Sequence, residues 1–176
     1  MTAIAGFCDT GHVWMGGDSA GVSGWDLTVR ADQKVFKNGD FLFGFTSSFR
    51  MGQLLQYKLQ PPKQHDQETY AYMVTAFVDS VRECLKAGGF AEKDKERESG
   101  GVFLVGYKGR LFYVASDYQI AEALDGYDAC GCGDAFIRGA LFATKGMDPQ
   151  RRMEISLQAA ERHSAGVRGP FQIMSI

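Results

Sequence analysis

At 176 residues, with 45% hydrophobic side chains and 22 glycines, the chain is long enough to bury a substantial core and is expected to fold as a single domain over residues 1–176. Its 21 acidic and 19 basic side chains leave a formal charge of -2, without the basic excess that a nucleic-acid or anionic-membrane partner would select. No stretch has the length of a transmembrane span, and the first residues lack the basic and apolar regions of a signal peptide, so a cytoplasmic location is expected.

The first third reads as strands. Thr2–Asp9 is a nearly continuous apolar run, Thr10-Gly11 signals a tight turn, and His12–Met15 returns into Gly16-Gly17-Asp18. Leu27–Ala31 and Lys34–Phe36 are expected as short strands, followed by an Asn38-Gly39 hairpin turn and a strand over Asp40–Phe45. The unbroken Phe41-Leu42-Phe43 run predicts a strand covered on both faces.

The middle is helical. Ser47 or Ser48 caps a helix carrying Phe49, Met51, Leu54 and Leu55, which stops before Pro61-Pro62. From about Gln67 to Ala87, apolar residues from Tyr70 to Leu85 recur at helical spacing, and Gly88-Gly89 ends the run. The charged segment Glu92–Ser99 reads as an exposed loop or a frayed helix end.

Strand character returns at Val102–Tyr107 and Leu111–Ala115, joined by Lys108-Gly109. After Gly131-Cys132-Gly133, Asp134 or a neighbour is expected to cap an Ala-rich helix, and Pro149 opens another. Phe171–Ile176 closes the chain as a strand. Two sheets sandwiched between helix layers satisfy this order, because each sheet is then covered on both faces.

Of Cys8, Cys84, Cys130 and Cys132, only Cys130 and Cys132 lie close in sequence, and His12, His65 and His163 are scattered. No metal motif emerges, and reduced buried thiols are expected, with Cys132 the candidate for reactivity.

The chemistry sits at the N-terminus. Thr2 is small enough for the initiator methionine to be removed, which would place a hydroxyl nucleophile and an α-amine base in one residue. An α-amine titrates near pH ~8, so a useful fraction is neutral at physiological pH. Asp18 follows a Gly-Gly pair at a strand end, and Lys34 opens a short strand. A lysine beside the Thr2 hydroxyl would favour its alkoxide-like form, and a carboxylate would keep that lysine charged. On the residues alone, Asp18 also reads as a turn aspartate and Lys34 as a solvated lysine.

The stretches "MTAIAG", "MGGDSAG" and "ADQKVFKNGDFLFGFTSS" resemble the start of the HslV peptidase family, and more distantly proteasome β subunits. The resemblance is specific over residues 1 to about 55 and weaker beyond. It implies an N-terminal nucleophile (Ntn) hydrolase with a four-layer αββα sandwich, Thr2 as nucleophile, and Asp18 and Lys34 as its partners. Ser47 falls where the family's glycine supplies a backbone N–H to the oxyanion hole, with Thr46 and Gly21 joining it in substrate binding. "GCGDAFIRGAL" resembles the family's Gly-Ser-Gly before an Ala-rich helix, which puts Cys132 where a serine lies beside the nucleophile's amine. The resemblance further implies no cofactor beyond a monovalent cation on the carbonyls of Gly166 and Gly169. It also implies a homo-oligomeric ring, an AAA+ ATPase unfoldase as partner, and peptides or unfolded proteins as substrate. The rival reading is a catalytically inactive assembly module that retains Met1.

Overall fold

Side chains of the first strand, β1 (Ala3–Asp9), alternate between two cores. Ala3, Ala5 and Phe7 pack with Ile137, Leu141, Met153 and Leu157, whereas Ile4 joins Val13, Met15, Leu42, Leu104 and Leu111 on the other face. That period of two, apolar on both sides, is the mark of a strand in the interior of a layered fold. These features belong to a computed structural model that describes residues 1–176.

In chain order β1 is followed by β2 (His12–Gly17), β3 (Ala20–Ser23), β4 (Asp26–Val29), β5 (Val35–Asn38) and β6 (Phe41–Phe45). Then come α1 (Phe49–Tyr57) and α2 (Thr69–Tyr72), which passes through a π turn at Met73–Phe77 into α3 (Val78–Ala87). The second half holds β7 (Glu92–Asp94), β8 (Arg97–Ser99), β9 (Phe103–Tyr107), β10 (Arg110–Val114), β11 (Ile120–Ala121) and β12 (Tyr127–Gly131). Helices α4 (Asp134–Ala143) and α5 (Pro149–His163) and strand β13 (Gln172–Ser175) complete it.

One sheet has the order β12-β1-β2-β13 and the other β11-β10-β9-β6-β5, with every pairing antiparallel. Three cores separate four layers. An aromatic-rich core, with Phe36, Phe43, Phe77, Phe103 and Phe112 fully buried, lies between the second sheet and α1–α3. The aliphatic core around Ile4 and Leu104 lies between the sheets, and the one around Ala5 and Leu157 lies under α4 and α5. The αββα sandwich is therefore present, with no helix long and apolar enough to cross a membrane.

Several local expectations change. The sequence Ala20–Val29 forms a two-stranded hairpin, β3–β4, outside both sheets, where a single strand at Leu27–Ala31 was expected. All four β4 residues are exposed, so the alternation that marks a sheet strand is missing. The charged run Glu92–Ser99 is neither a loop nor a helix end. It is the β7–β8 hairpin, with Lys93 opposite Glu98 and Asp94 opposite Arg97, so opposite charges face each other across the strands. Strand β12, unforeseen, pairs with β1 over Ala3–Phe7. At α4 it is the neighbour, Gly133, that holds the cap position, and Asp134 begins the helix, paired with Arg138 at 2.6 Å. Of the two serine candidates before α1, Ser48 is the cap, accepting the Arg50 N–H at 3.1 Å.

Candidate active site

Asp18 leaves the end of β2 pointing into the protein and is fully buried. The preceding glycine makes this approach possible, because a Cβ on Gly17 would come within 2.9 Å of Ile4 and 3.0 Å of Val35. The Asp18 carboxylate gathers four donors. Its Oδ1 accepts from the Ala3 N–H at 2.9 Å and from Lys34 Nζ at 2.8 Å. Its Oδ2 accepts from the Ala20 N–H at 2.9 Å and the Arg168 N–H at 3.3 Å. One side chain thus ties the start of β1, the start of β3, the residue before β5 and the C-terminal loop.

Lys34 is 1% exposed, and its ammonium also donates to the Ala20 carbonyl at 2.6 Å, so two of its three N–H groups are engaged. The Phe49 ring lies 5.7 Å from Nζ. Burial pushes the Lys34 pKa below the ordinary lysine range, and the adjacent Asp18 carboxylate opposes that shift. A solvated lysine and a turn aspartate do not describe this pair. A buried charge pair is retained at a desolvation cost, which makes such a pair a candidate for chemistry more than a source of stability.

Thr2 is 6% exposed and lies beside this pair through its own peptide group, since the N–H held by Asp18 belongs to Ala3. With Met1 in place the Thr2 nitrogen is an amide, and the Thr2 hydroxyl donates to the Met1 carbonyl at 2.6 Å. No hydrogen bond joins that hydroxyl to Lys34 in this arrangement. The Thr2 carbonyl accepts from Cys132 Sγ at 3.4 Å. Gly131 sits directly behind it with φ +100°, and a Cβ there would fall on the Thr2 carbonyl oxygen. Gly131→Ala is therefore expected to displace the start of β1. We expect a loss of at least about 2 kcal/mol, read as a lower urea midpoint at unchanged slope.

Ser47 adopts φ +70°, a left-handed conformation usual for glycine, immediately before α1. Its backbone N–H has no acceptor in the protein, and its hydroxyl accepts the Val102 N–H at 3.0 Å. The side chain is thus held toward the chain at Val102 while the free N–H lies at the positive end of a helix. Thr46 is bound through its backbone, its N–H to the Val102 carbonyl at 3.1 Å and its carbonyl to the Ser48 N–H at 2.9 Å. Gly21, in β3, is covered by Arg30, whose guanidinium stacks 3.9 Å from the Phe49 ring centre. A cavity of about 490 Å³ lined by Gly21, Thr28, Arg30 and Phe49 opens beside them.

Cys132 is exposed, with Sγ between the Thr2 carbonyl and the Ser164 hydroxyl, which donates to it at 3.2 Å. Cys130 is buried and its thiol pKa is pushed up by desolvation, as expected of an inert core thiol. No group of three His, Cys, Asp or Glu residues is placed to hold a metal ion. The Gly166 and Gly169 carbonyls accept no hydrogen bond, which fits oxygen ligands of a monovalent cation, although Gly166 lies under the Met1 side chain. Sequence reasoning missed Ser164 and Arg168. They belong to a tail without a motif, and only the fold brings that tail over Asp18 and Cys132.

No protein-family model matches the sequence. No curated protein is significantly similar to it in sequence. Solved structures are similar in fold. BPH of Thiobacillus denitrificans, in complex with epoxomicin, superposes with a TM-score of 0.80 at 20% identity, over 99% of this chain and 98% of that one. HslV from Trypanosoma brucei gives 0.72 at 16% identity, over 99% and 98% of the two chains. Anbu (ancestral beta-subunit) from Yersinia bercovieri gives 0.66 at 14% identity, over 99% of this chain and 81% of that one. By layer order and by these likenesses, the chain has an HslV-like αββα fold.

Proposed function

We propose that the chain is a threonine-type peptidase that uses Thr2 as its nucleophile after removal of Met1. The observation that carries this reading is the buried Lys34–Asp18 pair, whose carboxylate also holds the peptide N–H next to Thr2. In the proposed reaction the Thr2 hydroxyl oxygen bonds to a peptide carbonyl carbon while its proton passes to the freed α-amine. Lys34 stabilises the developing negative charge on that oxygen, and the Ser47 N–H stabilises the oxyanion. Cleavage of the C–N bond leaves an acyl ester on Thr2, and the ammonium returns the proton to the departing amine. The neutral amine then takes a proton from a water whose oxygen bonds to the ester carbon; as the bond from that carbon to the Thr2 oxygen breaks, the ammonium returns the proton to that oxygen and the acyl group leaves as a carboxylic acid. Carbonyls of Gly166 and Gly169 would hold a monovalent cation beside the site, once the Met1 side chain no longer covers Gly166.

The substrates under this reading are peptides or unfolded polypeptides in the cytoplasm, delivered by an AAA+ ATPase unfoldase to a ring of identical subunits. Trp25, Leu124 and Phe142 are strongly exposed in the single chain. Light scattering at micromolar concentration is expected to return a mass several times that of the 19.3 kDa chain, and a monomer contradicts the ring.

The rival reading is an inactive assembly module that retains Met1, in which the Thr2 hydroxyl stays bound to the Met1 carbonyl. Intact mass and peptide hydrolysis on the same purified sample separate the two. The peptidase reading requires loss of one methionine and turnover of a fluorogenic peptide. Met1-free protein that hydrolyses no peptide or unfolded casein overturns it.

A further inference from the structure

The peptide group between Thr2 and Ala3 is held at both ends. Asp18 takes its N–H at 2.9 Å, and Cys132 Sγ donates to its carbonyl at 3.4 Å. Once Met1 is gone Thr2 is a chain terminus, and terminal residues fray unless tied down. The Asp18 side is anchored by three further donors, from Ala20, Lys34 and Arg168. The Cys132 side is weaker, because a thiol is both a weak donor and a weak acceptor and this one is exposed.

Ser164 supplies what that thiol lacks. Its hydroxyl donates to Cys132 Sγ at 3.2 Å, which occupies the acceptor side of the sulfur and leaves the S–H directed at Thr2. Ser164 is itself fixed by backbone bonds, its N–H to the Ala160 carbonyl at 2.9 Å and its carbonyl to the Val167 N–H at 3.1 Å. Anchoring thus runs from the end of α5 through Ser164 and Cys132 to Thr2, just ahead of β1.

We infer that Ser164 is a positioning residue for the Thr2 nucleophile, acting through the Cys132 thiol. Its kinetic consequence rests on the peptidase reading; the contact itself does not. In Met1-free protein, Ser164→Ala is expected to lower kcat about fivefold to tenfold, the scale of one lost hydrogen bond, with KM unchanged. Ser164→Thr, which keeps the hydroxyl, restores most of the rate. In a Cys132→Ala background the Ser164→Ala change has no further effect, since the two residues act in series. Equal losses in both backgrounds overturn the inference.

A readout independent of turnover is the infrared S–H stretch of Cys132, assigned by its disappearance in Cys132→Ala. Ser164→Ala is expected to shift that band, and an unmoved band overturns the inference whatever the kinetics. A protein without hydrolytic activity whose band moves supports the Ser164 contact and refutes the peptidase reading, so the two failures are distinct.

Discussion

Thr2→Ala is expected to lower peptide hydrolysis by the Met1-free protein at least about 10³-fold, the scale on which an enzyme responds to loss of its nucleophile. The fold is expected to survive. Asp18 and Cys132 grip the backbone around Thr2, and its side chain makes a single hydrogen bond, to a Met1 carbonyl that departs with Met1. Truncating one small buried side chain costs about 1 kcal/mol, or about 2–4 °C in Tm for a domain of this size. Alanine is also small enough for Met1 removal, which intact mass verifies. Undiminished turnover in this variant sinks the mechanism. A Tm loss much beyond that range would mean that the hydroxyl is structural.

How far the sequence reveals this protein depends on what each residue does locally. Thr2, Asp18 and Lys34 are legible because each sits at the edge of a short strand whose turns, Thr10-Gly11 and Asn38-Gly39, are written in residues that only a few backbone conformations suit. Cys132 is legible through the glycines on either side. Strand β12 is not, since Tyr127-Asp128-Ala129-Cys130-Gly131 has no apolar alternation of its own and is a strand because the small residues of β1 lie against it. The β7–β8 hairpin is hidden in a run of charges whose pairing across the Lys95-Glu96 turn becomes visible only in register. Ser164 and Arg168 have no local signature. Their roles come from α5 ending where it does, a property of helix packing and not of the tail.

The convergence has a physical logic. A terminal nucleophile needs a fixed backbone, a charge nearby and an open face. Asp18 serves the first two at once, binding the Ala3 N–H and the Lys34 ammonium through the same oxygen. Its other oxygen takes backbone donors from β3 and from the C-terminal loop, so the site stays assembled only while both remain docked. Under the peptidase reading the open face holds the unpaired Ser47 N–H and the cavity beside Gly21.

Lys34→Ala is expected to reduce kcat about 10²–10³-fold, or ~2.7–4 kcal/mol, the range found when a preorganised donor to a developing charge is lost. KM should change little, because the ammonium is buried against Asp18 and Ala20. Stability should also fall, since removing one member of a buried pair leaves the other charge uncompensated, at a cost of about 3–5 kcal/mol. The backbone donors of Ala3, Ala20 and Arg168 that remain on Asp18 reduce that cost, so the variant should fold at assay temperature. Lys34→Met, which restores most of the volume but not the charge, separates the effects by recovering the packing part of the stability loss and none of the rate. The pH dependence gives an independent check. Burial holds the Lys34 pKa below its unfolded value, so between the two values the unfolded chain binds more protons than the native protein. Across that window stability gains from Lys34 as pH rises, while turnover falls because the ammonium that stabilises the attacking oxygen is being lost. Below the window the protonated lysine carries its full burial cost and supplies its full charge to the site, while the α-amine base sets the acid limb of turnover. Wild type should therefore show stability and kcat moving in opposite directions on the alkaline side, and Lys34→Met should lose this Lys34 contribution to both. If the alkaline fall in kcat persists unchanged in Lys34→Met, another group sets it and Lys34 is structural.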